Sequence, residues 1–104
     1  MSVVHVVAII TTKPGMRNEV LKAFHENIPN VRAEDGCIEY GPTIDATEVG
    51  SIQTKIGPDT FMVIEKWESL EHLKAHAAAP HMVEYAAKVK DLLVGRVIHV
   101  LSSA

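Results

Sequence analysis

Residues 61–82 read FMVIEKWESLEHLKAHAAAPHM, and they contain the signals of a strand, a helix cap and a helix break. The first part of this stretch, 61–67, is predicted to be a β-strand, whose successive side chains point to opposite faces. One face of that strand carries Phe61, Val63, Glu65 and Trp67. Ser69 then suits a helix N-cap, because its hydroxyl can accept a backbone hydrogen bond. Pro80 interrupts that helix and predicts a second helical segment, because proline suits a first helical turn.

The residues before this stretch predict a strand, a helix and a second strand. Residues 3–12 are β-branched and apolar on both faces, as in a strand that is covered on both sides. Apolar residues at helical spacing over 16–31 predict a helix, and Pro29 predicts that it kinks or ends one turn early. Residues 37–44 are predicted to be the second strand. Residues 46–59 have no clear period and are predicted to form a long hairpin loop.

The residues after it complete the pattern of one α+β domain over 1–104. An apolar stripe continues the second helical segment, Gly95 is predicted to stop it, and 96–101 is predicted to be the last strand. The order β-α-β-β-α-β is that of a ferredoxin-like split βαβ unit. Since helices cover one face of such a sheet, we expect a second copy to cover the other apolar face. The sequence therefore predicts a homodimer that forms a dimeric α+β barrel.

Composition excludes several classes of function. The net charge of -3 and the pI near 6.0 give no electrostatic footprint for nucleic acid. The sequence has no run of about 18 apolar residues, so no membrane span is predicted. No signal peptide is recognisable either, and we therefore expect a cytoplasmic protein. The one cysteine, Cys37, excludes an internal disulfide and cysteine-rich metal sites, and it is interpreted as an inert buried thiol. No glycine-rich phosphate loop is present.

The histidines are the first candidates for chemistry. His72 and His76 stand i, i+4 on one helical face, a spacing that can hold zinc. A third ligand is missing, so no metal site is predicted and His72 is interpreted as solvated. His76 and His81 flank the Pro80 break, which can open toward a cavity where histidine would transfer protons. The alternative for both is a helix cap or a surface position.

Two further histidines lie in apolar strands. The first and last strands of a split βαβ unit are antiparallel neighbours, which brings His5 near His99. They are interpreted either as a cross-strand pair or as structural residues.

Glu65 and Trp67 form an unusual pair, because an apolar face rarely carries a carboxylate. Glu65 needs either a pocket with a partner or water, or an ion pair with Arg32 or Arg96 at a sheet edge. Trp67 is a candidate for core packing or for a site. Tyr40, from the second strand, is predicted to point into the same cavity.

Three stretches resemble the antibiotic biosynthesis monooxygenase family: IITTKPGMRNEVLKAF (9–24), RAEDGCIEY (32–40) and 61–82. The resemblance covers almost the whole chain. It implies a homodimer with a pocket in each protomer. It also implies a cofactor-independent monooxygenase, which oxidises a quinol-like or phenolic aromatic substrate with molecular oxygen and uses no flavin, haem or metal. The enzyme then deprotonates the substrate, orients it and keeps the pocket dry.

The resemblance also implies roles for particular residues. His76 is the expected base, with His81 as the alternative, and Trp67 is the second residue placed in the catalytic set. The expected substrate-binding residues are Tyr40, Phe61, Glu65 and His81. Glu65 is expected to orient a histidine or a substrate hydroxyl.

Relatives with other activities leave alternatives. Haem-degrading relatives carry an asparagine on the first strand, where this chain has Ala8. Isomerases or lyases of small phosphorylated carbonyl compounds need cations in the pocket, and Arg32 and Lys66 are the candidates. A dimer that binds a small aromatic ligand without catalysis is a further hypothesis. The 46–59 loop is expected to cross the dimer and cover the partner's pocket.

Overall fold

The computed structural model describes residues 2–104, which form four strands and three α-helices. The elements are β1 (Val4–Thr12), α1 (Arg17–Arg32), β2 (Cys37–Thr43), β3 (Thr60–Trp67), α2 (Leu70–Ala77), α3 (Pro80–Val89) and β4 (Leu93–Leu101), with a short 3-10 turn at Lys90–Leu92. The predicted β-α-β-β-α-β order is confirmed, and the second helix is divided in two. The strands form one antiparallel sheet in the order β2-β3-β1-β4, so the ferredoxin-like α+β class is confirmed.

The core lies between one face of the sheet and α1. The register places Val6 and Tyr40 on either side of Glu65, so the three side chains share one face. Alternate residues of β3 are buried on that face, as predicted for Phe61, Val63, Glu65 and Trp67. α1 packs its apolar stripe there, namely Val20, Phe24, Ile28 and Val31. Burial of each such side chain is worth about 1.5–3 kcal/mol.

Local signals divide the second helix as expected. The Ser69 hydroxyl accepts a hydrogen bond from the backbone N–H of His72 at 3.3 Å, so Ser69 is the N-cap of α2. Ala79 is extended, as expected for a residue before proline, and Pro80 occupies the first turn of α3. Within residues 2–104, no helix combines the length and the apolar character needed to cross a lipid bilayer.

The prediction that α1 ends early at Pro29 is wrong. The helix continues to Arg32, and the backbone N–H of Ala33 donates to the carbonyl of Pro29 at 3.1 Å. Proline costs a helix interior about 3 kcal/mol. Ile28 and Val31, on either side of it, are 7% and 0% exposed, and their burial offsets that cost.

The prediction that Gly95 stops the last helix is also wrong. α3 ends at Val89, and Gly95 lies inside β4. Pairing with β1 starts the strand before Gly95, because the N–H of Lys13 donates to the carbonyl of Leu92 at 2.8 Å and Thr12 pairs with Leu93. The second strand likewise ends one residue early, at Thr43.

His5 and His99 do not form the predicted cross-strand pair. His5 is opposite Leu101, and His99 is opposite Val7. The two histidines share the face of the sheet that the helices leave open, but they are offset along it. The prediction that β1 and β4 are neighbours is correct, but their register does not place His5 opposite His99.

Residues 44–59 form the predicted long loop between β2 and β3. The start of the loop is joined to its end, because the Asp45 carboxylate accepts hydrogen bonds from the backbone N–H groups of Ile56 at 2.9 Å and Gly57 at 3.0 Å. These bonds lower the pKa of Asp45. Arg17 also donates to the carbonyl of Gly57 at 3.1 Å. Residues 46–52 are exposed, and their role across a dimer stays a prediction.

Candidate active site

A cavity of about 610 Å³ lies on the helix side of the sheet, under α3. Ala8 and Ile10 of β1 and Val63 of β3 form its floor, and α3 forms one wall. The walls are mostly apolar. Six polar or charged side chains interrupt them: Tyr40, Glu65, His76, Tyr85, Lys90 and Arg96. The cavity thus fits a largely apolar ligand that presents a few polar groups.

The structure brings three of the six predicted site residues to this cavity, namely Tyr40, Glu65 and His76. Phe61 is 0% exposed and packs in the core, with its ring edge against Phe24 at 5.8 Å between centroids. Trp67 and His81 stand behind the cavity wall. Trp67 contacts Glu65 and His76, so it can influence the site through them.

Glu65 is a buried carboxylate held by an indole. The Nε1–H of Trp67 donates to its Oε1 at 2.9 Å, and Glu65 is 7% exposed. Burial raises the pKa of Glu65, and the Glu34 carboxylate adds to the rise. The Trp67 hydrogen bond and the nearness of His76 oppose it. Glu65 therefore holds its proton to a higher pH than a surface glutamate does.

The alternative of an ion pair for Glu65 is wrong. Within residues 2–104, no arginine or lysine nitrogen lies at ion-pair distance from its carboxylate. Arg32 is occupied elsewhere, since its guanidinium donates to the carbonyl of Tyr40 at 3.0 and 3.2 Å. Arg96 lines the cavity without pairing with Glu65.

His76 is the most enclosed histidine of the site, at 4% exposed. Its ring lies 4.6 Å from the Trp67 ring and 5.4 Å from the Tyr40 ring, between centroids. Nδ1 lies 2.8 Å from Oε2 of Glu34. Nε2 has no hydrogen-bond partner within residues 2–104, yet it is not sealed from the cavity. His76 therefore offers one ring nitrogen to a ligand while the other is held.

Glu34 is a residue of the candidate site that the sequence did not reveal. It belongs to the turn after α1, and the same Oε2 that contacts His76 lies 3.2 Å from Nε2 of His81. That second contact lacks the alignment of a full hydrogen bond. Nδ1 of His81 lies 3.2 Å from the amide nitrogen of Asn27. Glu34 thus joins the histidines of α2 and α3, a contact that no spacing rule predicts across 42 residues.

His72 does not join His76 in a metal site. Its Nδ1 contacts the Ser69 hydroxyl at 2.7 Å, and its Nε2 lies 3.4 Å from Asp35. Asp35, Glu68 and His72 bring their ligand atoms within 4.8 Å of one another, but none of them lines the cavity. Exposed acidic groups of this kind are common without an ion. The absence of a metal from the reaction stays a prediction.

An aromatic group extends from the core to the cavity. The Phe24 ring stacks on Tyr40 at 5.2 Å and meets Tyr85 edge-on at 5.9 Å, between centroids. Burial raises the pKa of Tyr85 to about 12. Burial also raises the pKa of Tyr40, and Glu65 adds to the rise. Both phenols are therefore neutral at physiological pH, so they can donate hydrogen bonds to a ligand.

The cations predicted for a phosphorylated ligand lie away from the cavity. Arg32 contacts the Tyr40 carbonyl, and Lys66 lies opposite His5 and Glu39 in the strand register, on the open face of the sheet. Neither lines the cavity. The exposed residues Lys90 and Arg96 line its mouth instead.

Comparisons with known proteins agree with this architecture. The family model described as antibiotic biosynthesis monooxygenase matches residues 3–88. A protein of Escherichia coli (strain K12), named probable quinol monooxygenase YgiN, is 40% identical over 98 residues, which cover 92% of this chain and 93% of that protein. The structure of Rv0793 from Mycobacterium tuberculosis is 27% identical, with a TM-score of 0.81 over 99% of this chain and 96% of that one. A conserved protein from Methanosarcina mazei Go1 shares the fold at 22% identity, with a TM-score of 0.84 over 100% of this chain and 95% of that one. The chain therefore belongs to the antibiotic biosynthesis monooxygenase family, and its activity class is that of a monooxygenase.

Proposed function

We propose that this protein oxidises a quinol-like or phenolic aromatic substrate with molecular oxygen, without a cofactor. The observation that carries the proposal is the placement of His76. One ring nitrogen is held by Glu34 at 2.8 Å, and the other is accessible from a largely apolar cavity. A base in such a cavity can remove a phenolic proton and keep water away from the resulting anion.

The substrate supplies the electrons in this scheme. Loss of a phenolic proton to His76 gives an electron-rich anion that reacts directly with oxygen. For a hydroquinone with an unsubstituted ring carbon, one oxygen atom enters the ring and the other leaves as water. The product is a hydroxyquinone, so the substrate gives up four electrons and one O₂ is consumed per turnover. Neither a metal nor a flavin is needed for this balance.

The residues around His76 fit an aromatic ring. Tyr40 and Tyr85 line the cavity as neutral phenols, which can donate hydrogen bonds to the oxygen atoms of a quinol. Glu65 lies on the same wall and can contact a hydroxyl. His76 is chosen over His81 as the base because His76 lines the cavity, whereas His81 lies behind the cavity wall. The word quinol in the name of the Escherichia coli relative agrees with this substrate class.

We further propose that the protein is a cytoplasmic homodimer that pairs through the open face of the sheet. That face carries Val7, Ile9 and Ile64, which are half-buried, and Val97, which is 52% exposed. An apolar face of this kind is typical of an interaction surface. A dimer through it would bring two sheets together, as in a dimeric α+β barrel.

Isotope labelling tests the reaction. Protein freed of metals with a chelator is given a hydroquinone under ¹⁸O₂, and the product is examined by mass spectrometry. We expect one labelled oxygen atom per product molecule, at a rate above that without protein. Quinone without label, together with hydrogen peroxide, would replace the monooxygenase with a simple oxidase. A hydroquinone that binds but does not react would favour the non-catalytic dimer.

A further inference from the structure

We propose that Glu34 is the positioning residue of this site: it holds His76 in the form with hydrogen on Nδ1 and leaves Nε2 free to accept the substrate proton. The chemical step rests on the proposed function. The assignment of the hydrogen is independent of it, since it follows from contacts within the protein.

The first support is the geometry of the Glu34–His76 contact. Oε2 lies 2.8 Å from Nδ1, and both side chains are enclosed, at 17% and 5% exposed. An ionised carboxylate only accepts hydrogen bonds, so the hydrogen between the two atoms belongs to Nδ1. A neutral imidazole with hydrogen on Nδ1 has an unprotonated Nε2, and the partner of one nitrogen thereby sets the chemistry of the other.

The second support is that His81 faces the Glu34 carboxylate from the other side. The Asn27 carbonyl oxygen accepts a hydrogen bond from the Asn30 amide at 3.0 Å, which leaves the Asn27 amide group to donate to Nδ1 of His81 at 3.2 Å. The hydrogen of His81 then resides on Nε2, which faces Glu34 at 3.2 Å. Nε2 of His81 thus lies close to the carboxylate oxygen from α3, beside the hydrogen bond that the same oxygen makes with His76 of α2.

The third support is the turn that carries Glu34. Gly36 adopts a φ of +82°, and its carbonyl accepts a hydrogen bond from the N–H of Glu68 at 2.9 Å. The backbone N–H of Glu34 also donates to the carbonyl of Val31 at 3.0 Å. The turn is therefore fixed to α1 on one side and to the end of β3 on the other.

Glu65 is the other carboxylate near His76, and it was expected to orient a histidine. Its hydrogen bond goes to the Trp67 indole, and within residues 2–104 no hydrogen bond joins it to His76. Glu34 therefore holds the ring, while Glu65 remains available to a ligand.

Nitrogen-15 NMR of the histidine rings tests the assignment without any substrate. In the wild-type protein near neutral pH, we expect His76 to carry hydrogen on Nδ1. The Glu34→Gln variant keeps the shape of the side chain, but its amide can donate as well as accept. We therefore expect His76 of this variant to populate the form with hydrogen on Nε2. The matched control is Asp35→Asn, which removes a charge from the adjacent exposed residue and leaves the His76 signal unchanged.

Kinetics with a hydroquinone then connects the assignment to catalysis. We expect Glu34→Gln to lower kcat by about 10–100-fold with little change in KM, because the base is misoriented while the cavity is intact. Asp35→Asn should keep wild-type values. Wild-type His76 with hydrogen on Nε2 would overturn the inference even if Glu34→Gln fails to fold. An unchanged spectrum and kcat in Glu34→Gln would also overturn it. Absence of oxidation in the wild type would refute the proposed function, while the NMR result would still decide the role of Glu34.

Discussion

At the level of single residues, the buried carboxyl group of Glu65 makes the stability of the fold depend on pH. It sits in an apolar wall, it is 7% exposed, and its one hydrogen bond within the described residues comes from Trp67. Burial is the main cause that raises its pKa above the ordinary value of a glutamate. The folded protein therefore holds this proton more tightly than the unfolded chain does.

This coupling predicts the pH dependence of the Glu65→Gln variant. The stability that Glu65 contributes is fully present below its unfolded pKa and is lost as the pH rises through the raised folded pKa. Glutamine does not ionise, and its carbonyl can still accept the Trp67 hydrogen bond. We therefore expect the free energy of unfolding of the variant to rise relative to wild type from acid to neutral pH. Urea unfolding across that range measures the difference, and parallel curves would contradict it.

Single residues also show which parts of the candidate site could be predicted from the sequence. Tyr40 and Glu65 follow from strand alternation, and His76 follows from the break at Pro80. Glu34 lies in a turn, where alternation and helical periodicity give no direction to a side chain. Its contact with His76 forms only when the whole sheet brings α1 and α2 together, so no local pattern could have predicted it.

At the scale of elements, the turn between α1 and β2 connects the fold to the site. Gly36 has a positive φ, and a Cβ at this position would collide with the ring of His72. Gly15 has a similar φ of +77°, but nothing lies within 4 Å of the place where its Cβ would be. A substitution at Gly15 therefore tests the cost of the left-handed backbone conformation alone. A substitution at Gly36 tests that cost together with a steric collision.

We expect Gly15→Ala to destabilise the protein by about 1–2 kcal/mol, the cost of a left-handed conformation for alanine. Gly36→Ala should cost more by about 1–3 kcal/mol, because overpacking against His72 adds to the same conformational cost. Urea unfolding of both variants gives the comparison. Equal losses would show that the contact with His72 imposes no constraint on this turn.

Elements also show where local sequence signals fail. Ser69 and Pro80 act as predicted because capping and the first turn of a helix depend on nearby atoms. Pro29 does not end α1, because the burial of Val31 beyond it outweighs the loss of one hydrogen bond. Gly95 does not end α3, because pairing with β1 draws the chain into β4 before that residue. Tertiary contacts decide both cases.

At the level of the whole molecule, the open face of the sheet is the proposed dimer interface. We expect a mass of twice 11.4 kDa by size-exclusion chromatography with light scattering. Val97→Lys should shift the protein toward a monomer, since it places a charge in the middle of that face opposite Ile9. Leu70→Lys is the matched control, because Leu70 is 41% exposed on α2 and away from the face. A monomeric wild type, or an unaffected Val97→Lys dimer, would contradict the proposal.

The assignment of His76 as the base of a cofactor-independent oxidation can be tested by the oxygen uptake of metal-free protein. An oxygen electrode would follow a small panel of hydroquinones with the wild type and with His76→Ala. We predict wild-type uptake above autoxidation, reduced by about 100–10,000-fold toward the uncatalysed rate in the variant. Folding of His76→Ala would be verified by circular dichroism. Equal uptake by both proteins, or wild-type uptake only after a metal is added, would contradict the claim.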